Sequence, residues 1–342
     1  MHMADALISP AVGLGFWAVS GTLAARAARK LETDSSRAPM MGVLGAFVFA
    51  AQMINFTIPG TGSSGHLGGG LLLSILLGPS AALITITGVL TIQCLLFADG
   101  GLLALGCNIF NLGFYPCFIG LPIYRFIAGN GDSRSRSAFG MIAASVIGLE
   151  LGALSVVAQT VLSGIGDLPF GKFILFMGGI HLPIGIVEGL VTVSVVGFVT
   201  KIRPAALLES SASAQSAFPA ASSGILAALL CLALGIGGVL AWYASEKPDG
   251  LEWSVTRATG REELESGGGL AARAAEVQEK VAILPDYSFR ESDGESAPSA
   301  RAGTSTSGVV GSIVTLLCVS LAAVGIAAVR RGRSSTPTSA EP

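Results

Sequence analysis

The sequence predicts an all-α membrane protein with about nine spans, and three observations support this prediction. First, 51% of the 342 residues are hydrophobic, only 12% are charged, and the mean hydropathy is +0.70. Soluble domains carry about 25% charged residues, so most of this chain is expected to face lipid. Second, the apolar residues fall in runs that can cross about 30 Å of hydrocarbon as helices. Third, the 46 glycines suit the close approach of helices within a membrane.

The apolar runs are assigned to spans in chain order. Eight runs have the length of a membrane helix and lie near residues 6–28, 40–58, 80–98, 102–128, 137–164, 171–200, 223–243 and 308–330. A ninth run, 66–78, is shorter and rich in glycine, and we count it as a tilted or partly re-entrant helix because the charge pattern needs it. At the first span, Ser9 followed by Pro10 predicts an N-cap with proline at the first helical position.

Basic residues predict the orientation in the membrane. They form four clusters: Arg26/Arg29/Lys30/Arg37, Arg125/Arg134/Arg136, Lys201/Arg203 and Arg330/Arg331/Arg333. Cytoplasmic loops are enriched in Lys and Arg, so all four clusters are expected in the cytoplasm. An arrangement of about nine spans, with the N-terminus outside and the C-terminus inside, places every cluster in the cytoplasm. One span fewer would place some clusters on the wrong face. No basic stretch precedes the first apolar run, so the N-terminus is expected to stay uncleaved.

A change of composition divides the chain. Residues 204–222 are rich in Pro, Ala and Ser, which predicts a flexible linker between a membrane core, 1–203, and a two-span unit, 223–333. Residues 334–342 read as a disordered tail. Within the two-span unit, the outer segment 245–306 has 12 acidic and 7 basic residues, and it is either a small domain or a mostly extended loop.

The chain begins Met1-His2, which can form a metal chelate. The terminal amine, the first backbone amide nitrogen and the imidazole of a second-position histidine close two fused rings on one ion. Three coplanar nitrogens suit an ion that accepts tetragonal geometry, such as Ni(II) or Cu(II). The fourth nitrogen must come from elsewhere, and the other histidines are His66 and His181. The plain alternative is that a chain can begin Met-His by chance.

His66 is the first candidate for the fourth nitrogen. It ends a loop, Phe56 to Gly70, that is rich in Gly and Ser and is predicted on the same side of the membrane as Met1. The alternative is a histidine that is hydrogen-bonded at the membrane interface. No Gly-Lys-Ser/Thr follows the glycines, and the sequence has no Walker motif, so we do not expect this chain to hydrolyse ATP.

Further polar residues lie within the apolar runs. His181 and Glu188 are seven residues apart, on one face of a helix over two turns, and Glu150 lies in the preceding span. Ionisable groups inside a membrane are usually functional. His181 and Glu188 are therefore predicted to support the metal site or to line a path for the metal. Their alternative role, as polar anchors for helix packing, stays equally open.

Amides and one carboxylate cluster near the outer ends of the spans: Asn55, Gln93, Asp99, Asn108 and Asn111. A metal-bound histidine commonly needs an acceptor that orients its ring, and Asn55 and Gln93 are the candidates by depth. The alternative is hydrogen bonding between helices. None of the five cysteines belongs to a CxxC pair, so neither a disulfide framework nor a zinc site is predicted. The net charge of −2 gives no indication of nucleic-acid binding.

Together these motifs make residues 1–203 resemble a known family, the substrate-binding (S) components of cobalt/nickel energy-coupling factor (ECF) transporters, CbiM/NikM. The segments that carry the resemblance are MHMADALISP (1–10), GVLGAFVFAAQMIN (42–55), the stretch 58–70 that contains His66, ADGGLLALG (98–106) and HLPIGIVEG (181–189). The C-terminal part, with PDGLE (248–252) and LPDY (284–287), resembles the small two-span CbiN/NikN subunit, here fused through the linker.

The resemblance implies a seven-helix core that takes Ni(II) or Co(II) from outside as its transported substrate. It implies ligands at the Met1 amine, the His2 amide nitrogen and imidazole, and His66. It also implies that the chain lies in the cell membrane and works with two kinds of partner: a transmembrane T component (CbiQ/NikQ-like) and a pair of cytoplasmic ATPases (CbiO/NikO-like). Many cobalt-type members begin MHIPDG, whereas this chain begins MHMADA, so the preferred metal stays open.

The sequence offers two other classes of function as alternatives. A self-sufficient metal channel or secondary transporter would use His181, Glu188 and Glu150 as its path. A membrane enzyme that uses the metal catalytically is disfavoured, because a closed four-nitrogen site leaves little room for a substrate.

Overall fold

The structure is a computed structural model that describes residues 2–31, 37–131, 133–164, 168–202, 223–261, 269–290 and 300–334. Met1, the predicted linker 204–222 and all but the first residue of the predicted tail 334–342 lie outside the described residues. The predictions made for those segments therefore stay predictions.

Helices form most of the described chain. In the N-terminal part they are α1 (Pro10–Lys30), α2 (Ala38–Gln52), α3 (Gly70–Leu77), α4 (Pro79–Phe97), α5 (Leu105–Ile109), a π-helical stretch (Phe110–Gly120), α6 (Leu121–Ala128), α7 (Arg134–Leu162) and α8 (Phe170–Ile202). In the C-terminal part they are α9 (Ser223–Gly238), α10 (Gly250–Thr259), α11 (Leu270–Val281) and α12 (Ala300–Ser334). The all-helical prediction is correct apart from one short hairpin near the site.

Among the residues that the structure describes, five helical stretches are long and apolar enough to cross a membrane: Pro79–Phe97, Leu105–Ala128, Arg134–Leu162, Phe170–Lys201 and Ala300–Arg331. Helices α2 and α9 are apolar but shorter. The protein is therefore a helical multi-pass membrane protein, while the count of nine spans and the orientation stay predictions.

The ninth predicted run, 66–78, contains only the short helix α3. Its 8 residues rise about 12 Å, less than half of the roughly 30 Å of hydrocarbon. All of its residues are buried. Gly78, with φ of 81°, separates α3 from Pro79 at the start of α4, and the two helices pack against each other. The first four residues of the run, 66–69, form a loop that contains His66.

The N-cap predicted for the first helix is confirmed. The Ser9 Oγ accepts a hydrogen bond from the Val12 N–H at 3.5 Å, and Pro10 occupies the first turn. In the last helix the structure extends beyond the predicted run, since α12 begins at Ala300 rather than near residue 308. Helix α12 packs against α2 and α4, which joins the C-terminal part to the membrane core.

The outer segment 245–306 forms helices rather than an extended loop where it is described. Helices α10 and α11 and the 3-10 turn Pro285–Tyr287 make up this outer unit. The outer unit packs beside an antiparallel hairpin, β1 (Phe56–Ile58) and β2 (Ser63–Gly65), in which Phe56 pairs with Gly65. The hairpin leads directly into His66.

Candidate metal-binding site

Residues 2–4, called here the N-terminal strand, enter the site in an extended conformation and are fixed at Met3. The Met3 N–H donates to Asn108 Oδ1 at 2.8 Å, and the Met3 carbonyl accepts from Asn108 Nδ2 at 3.2 Å. The Gly101 N–H also donates to the Met3 carbonyl, at 2.8 Å. Both Met3 and Asn108 are buried. One side-chain amide thus holds both main-chain groups of residue 3, which sets where His2 can lie.

A loop after α4 provides the surface against which this strand lies. Asp5 accepts a hydrogen bond from the Ala104 N–H at 2.9 Å through its Oδ1. A Cβ atom at position 101 would lie 2.5 Å from the Asp5 backbone nitrogen and would collide with its carboxylate. Gly101 is therefore needed for the close approach of the two chain segments.

The structure brings the two predicted histidine ligands together. The ring centroids of His2 and His66 are 5.0 Å apart, with an angle of 32° between the ring planes. Their side chains are only 8% and 9% exposed. The N-terminal strand supplies one ring and the hairpin supplies the other, across 64 residues of sequence. The arrangement gives two imidazoles in one shielded location.

The surroundings of His66 keep its imidazole neutral, with one ring nitrogen hydrogen-bonded. Its Nδ1 lies 3.1 Å from the Leu67 carbonyl, which can only accept a hydrogen bond, so Nδ1 carries the hydrogen and Nε2 carries the lone pair. Burial, together with nearby positive charge, lowers the pKa of His66 to about 3. The ring is therefore neutral at physiological pH, as a metal-binding imidazole must be.

A carboxylate of the outer unit lies beside His66. Asp249 Oδ2 is 3.9 Å from His66 Nε2. Its other oxygen, Oδ1, accepts from the N–H groups of Leu251 and Glu252 and caps α10. The Glu252 side chain completes a capping box by accepting from the Asp249 N–H at 3.0 Å. The sequence motif PDGLE is thus a helix start that positions one carboxylate at the site.

A second carboxylate holds His2. Asp99 Oδ1 lies 2.6 Å from His2 Nδ1, and Asp99 Oδ2 accepts from the Tyr287 hydroxyl at 2.6 Å. Burial by itself would raise the pKa of Asp99, but the charge and hydrogen bond of His2 and the Tyr287 hydroxyl hold it well below its usual range. Asp99 is therefore ionised, and His2 Nδ1 is the donor. The other ring nitrogen, His2 Nε2, is buried and has no hydrogen-bond partner in the described part of the chain.

In the structure the hydrogen-bond partner of the His2 ring is Asp99, whereas the predicted Asn55 and Gln93 have other contacts. Gln93 Nε2 donates to Gln52 Oε1 at 2.8 Å, and Gln52 Nε2 donates to the Gly68 carbonyl at 2.8 Å. This is the predicted alternative, an amide contact between helices, and through Gln52 it also holds the His66 loop. The Asn55 carbonyl accepts from the Ser245 N–H at 2.7 Å, so its main chain holds the outer unit. Depth in the apolar run favoured the amides, whereas the carboxylate directly after α4 was the better signal.

His181 and Glu188 both lie on α8, and each has a structural partner. The two Glu188 carboxyl oxygens accept from the N–H groups of Gly68 and Gly69 at 3.0 and 3.1 Å. His181 Nδ1 lies 2.7 Å from the Met177 carbonyl one turn earlier. These contacts support the anchor role of both residues, and a role on a metal path stays a prediction.

A small cavity is lined by two of the histidines and their neighbours: Gly65, His66, Gly68, Leu112, Leu149, His181, Ile184, Asp249 and Gly250. Gly250 of the outer unit packs closely on the His181 ring, because an added Cβ would lie 3.1 Å from His181 Cε1. The predicted third path residue, Glu150, is not among the lining residues. Among the residues that the structure places, Glu150 Oε1 is buried without a hydrogen-bond partner.

Side chains alone do not form a metal cage here. Within the described ranges, no group of three or more His, Cys, Asp and Glu side chains could hold a metal ion. The predicted ligand set adds main-chain nitrogens to the two histidines. The predicted amine belongs to Met1, which lies outside the described residues.

Comparison with known families identifies the membrane core. Residues 2–206 match the model of CbiM, the cobalt uptake substrate-specific transmembrane region. The chain belongs to the CbiM family. Residues 223–328 match the PDGLE domain, so this family member carries the two units in one chain. The resemblance that the motifs predicted is confirmed, and the protein is a multi-pass membrane protein of the cobalt and nickel transport family.

Named relatives agree with this assignment. A putative fused nickel transport protein NikMN of Archaeoglobus fulgidus is 31% identical to this chain over 335 residues. The alignment covers 98% of this chain and 100% of that protein. It is 38% identical over 207 residues to a putative metal transport protein of Haloquadratum walsbyi, covering 60% of this chain and 92% of that protein. The crystal structure of a truncated transition metal transporter, 32% identical, superposes with a TM-score of 0.52 over 59% of this chain and 99% of that chain.

Proposed function

We propose that this CbiM-family protein captures Ni(II) or Co(II) at the outer face of the membrane as the substrate-binding subunit of an ATP-driven importer. The proposed ligands are the Met1 amine, the His2 amide nitrogen and imidazole, and His66. The observation that carries the proposal is the 5.0 Å approach of the His2 and His66 rings in a shielded site. The hydrogen bonds of Asn108 to Met3 support it, because they fix the strand that delivers His2.

The chemistry of the ligands favours nickel over cobalt. An amine, a deprotonated amide and two imidazoles give four nitrogens in a plane, which suits a d8 ion such as Ni(II). Copper would bind such a set at least as tightly by the Irving–Williams order, so selectivity must also depend on the rigidity of the site and on metal availability. The deprotonated amide cancels one of the two metal charges. The carboxylates of Asp99 and Asp249 lie close enough to balance the other.

Nickel titration of the purified chain tests the ligand set. Planar four-nitrogen Ni(II) has a visible absorption band that six-coordinate Ni(II) lacks. We expect one nickel ion per chain with that band, and we expect His66→Ala to abolish the band and weaken binding by at least about tenfold. His181→Ala is the matched control, since it removes the other buried imidazole near the cavity. Full binding by His66→Ala, with loss in His181→Ala, would move the metal to His181 and overturn the ligand set.

Energy coupling is the second part of the proposal. Resemblance to ECF S components implies that a T component and an ATPase pair drive metal release into the cell. Liposomes that contain the chain alone should bind nickel but accumulate none, whereas liposomes that also contain both partners and ATP should accumulate it. Accumulation by the chain alone would instead support the channel or secondary-transporter alternative. The structural partners of His181 and Glu188 give that alternative no specific support.

A further inference from the structure

Helix α11 of the outer unit exposes a row of apolar side chains. Leu270, Val277 and Val281 are separated by seven and four residues, so they lie on one face of the helix. Their exposed fractions are 42%, 51% and 45%, and Ile283, just beyond the helix, is 68% exposed. These four residues are called here the apolar stripe. A row of large exposed apolar side chains indicates a surface that binds an apolar partner or lipid.

A different face of α11 attaches the helix to the end of α4. Gln278 is buried on that face, and its Nε2 donates to the Cys94 carbonyl, in the last turn of α4, at 3.0 Å. The N–H groups of Ile283 and Leu284 donate to the Leu96 carbonyl at 3.0 and 3.1 Å. These donors satisfy carbonyls that a helix C-terminus leaves unpaired. The C-terminal half of α11 is therefore level with the last turn of α4.

The contact with α4 sets the depth of α11 relative to the membrane. Helix α4 is one of the stretches that can cross a membrane, and its 19 residues rise about 28 Å. This rise is close to the roughly 30 Å of hydrocarbon, so the last turn of α4 lies at the edge of the hydrocarbon. Helix α11 also packs against the 3-10 turn Asp5–Leu7, which precedes α1. It therefore lies across the ends of the core helices, where lipid headgroups begin.

The charged residues of α11 are ordered around the helix. At 3.6 residues per turn, Arg273 and Lys280 flank the apolar stripe, whereas Glu276 and Glu279 lie farther around the helix from it. Lys280 Nζ is 2.6 Å from Glu276 Oε1, and both side chains are mostly exposed. Long basic side chains beside an apolar face can reach lipid phosphates while their stems stay in an apolar environment. The order apolar, basic, acidic is thus complementary to a phospholipid surface.

We propose that α11 lies in the lipid interface, with the apolar stripe among the acyl chains and with Arg273 and Lys280 at lipid phosphates. The partner of this surface is the phospholipid bilayer itself. The 12 residues of α11 rise about 18 Å, which is too short to cross the hydrocarbon, so the helix lies along the surface. The outer unit is then held at the site from two sides, by its hydrogen bonds to the core and by lipid. This inference goes beyond the proposed function and does not depend on metal binding.

Spin labelling of the full-length chain in nanodiscs of phosphatidylcholine and phosphatidylglycerol tests this placement. Nitroxide labels are attached at Val277→Cys or, separately, at Val281→Cys, with the exposed Cys231 and Cys318 replaced by alanine. Ala272→Cys is the matched control, because Ala272 is exposed on the same helix but on the face opposite to the apolar stripe. Oxygen is concentrated in hydrocarbon and chromium oxalate in water, so collisions with the two reagents report what surrounds each label.

We expect the ratio of oxygen collisions to chromium oxalate collisions to be at least about threefold higher at position 277 than at position 272. Position 281 should agree with position 277. A chain that keeps only Cys318 among the exposed cysteines gives the reference for lipid, because Cys318 is exposed on the membrane-crossing helix α12.

Two results would overturn the placement. Equal ratios at positions 277 and 272 would show that the apolar stripe does not distinguish lipid from water. A label at position 277 that neither reagent reaches would show that protein, rather than lipid, covers the stripe. Both results would leave the metal site untouched, since the nickel titration tests that site separately.

Discussion

At the scale of single residues, a few hydrogen bonds define the path of the N-terminal strand, and the position of His2 in the site depends on them. Asn108 takes both the donor and the acceptor of Met3. A shift of the strand by one residue would break both bonds and would carry His2 out of reach of His66. The predicted chelate therefore needs the amide of Asn108 as well as its own nitrogens, although Asn108 does not bind metal in this account.

Asn108→Leu should show this dependence directly. Leucine has nearly the same size but neither hydrogen-bonding group, so Met3 would keep its packing and lose its register. We expect nickel affinity to fall by about tenfold or more in a titration of the purified protein, because two buried hydrogen bonds are lost. Gln159→Leu is the control, since it breaks a buried amide pair with Asn111, which contacts the Met3 sulfur and not the Met3 main chain. An equal loss in the control would contradict the specific role of Asn108.

The pH dependence of nickel binding should reflect the main-chain nitrogens rather than His66. The pKa of His66 is lowered to about 3, so this ring does not take up a proton between pH 7.5 and pH 5. The amine and the amide must lose protons for the metal to bind, so affinity should fall as the pH is lowered through that range. Isothermal titration at several pH values measures this. Equal affinity at pH 5 and pH 7.5 would argue against the proposed ligands.

At the scale of elements, helix α8 and the loop that contains His66 form one structural unit. The Glu188 carboxyl group joins α8 to the N–H groups of Gly68 and Gly69, and Gln52 joins α2 to the Gly68 carbonyl. The loop has no regular structure of its own after β2. Its geometry is therefore set by side chains from two helices.

Glu188→Gln distinguishes an anchor from a path residue. An amide has one oxygen in place of two, so one of the two loop N–H groups loses its acceptor. If Glu188 is an anchor, thermal stability and nickel affinity should fall together, with affinity reduced about three- to tenfold. Glu150→Gln is the control, because Glu150 lies on α7 away from this loop. Unchanged affinity with abolished uptake would instead place Glu188 on a metal path.

Sequence patterns predicted the helices better than the contacts between them. The apolar runs located the long helices, since their hydrophobicity is a local property of the chain. The pairing of His2 with His66 followed from placing both before helices on the same side. The partnership of Asp99 with Tyr287 joins residues far apart in sequence, and no local pattern reports such a contact. The run 66–78 was read as one helix because hydrophobicity does not show that Glu188 and Gln52 hold Gly68 and Gly69 in a loop before α3.

At the scale of the whole molecule, the two family units contact each other at the candidate site. The outer unit contacts the hairpin through main-chain and side-chain bonds, as when the Ser64 N–H donates to the Pro248 carbonyl at 2.8 Å and Trp253 Nε1 donates to the Thr61 carbonyl at 3.0 Å. It also places Asp249 beside His66 and Tyr287 beside Asp99. Fusion in one chain keeps these contacts intramolecular.

Trp253→Ala should therefore weaken metal binding from a distance. The indole bonds the hairpin and packs edge-on against Phe176, so its removal loosens the support of His66. We expect a lower melting temperature and nickel affinity reduced several-fold, about three- to tenfold. Trp242→Ala is the matched control, because that indole donates to Ser305 within the C-terminal part instead. An equal effect of both substitutions on affinity would contradict a specific coupling through the hairpin.

Nickel binding by the native chain, compared with a chain that carries one extra residue before Met1, tests the central claim most directly. The extension moves the amine and makes His2 the third residue, while every span and the His66 loop stay unchanged. The account predicts that tight binding and the planar nickel band are both lost. Undiminished binding by the extended chain would contradict the N-terminal chelate and would direct the search for the metal to His181.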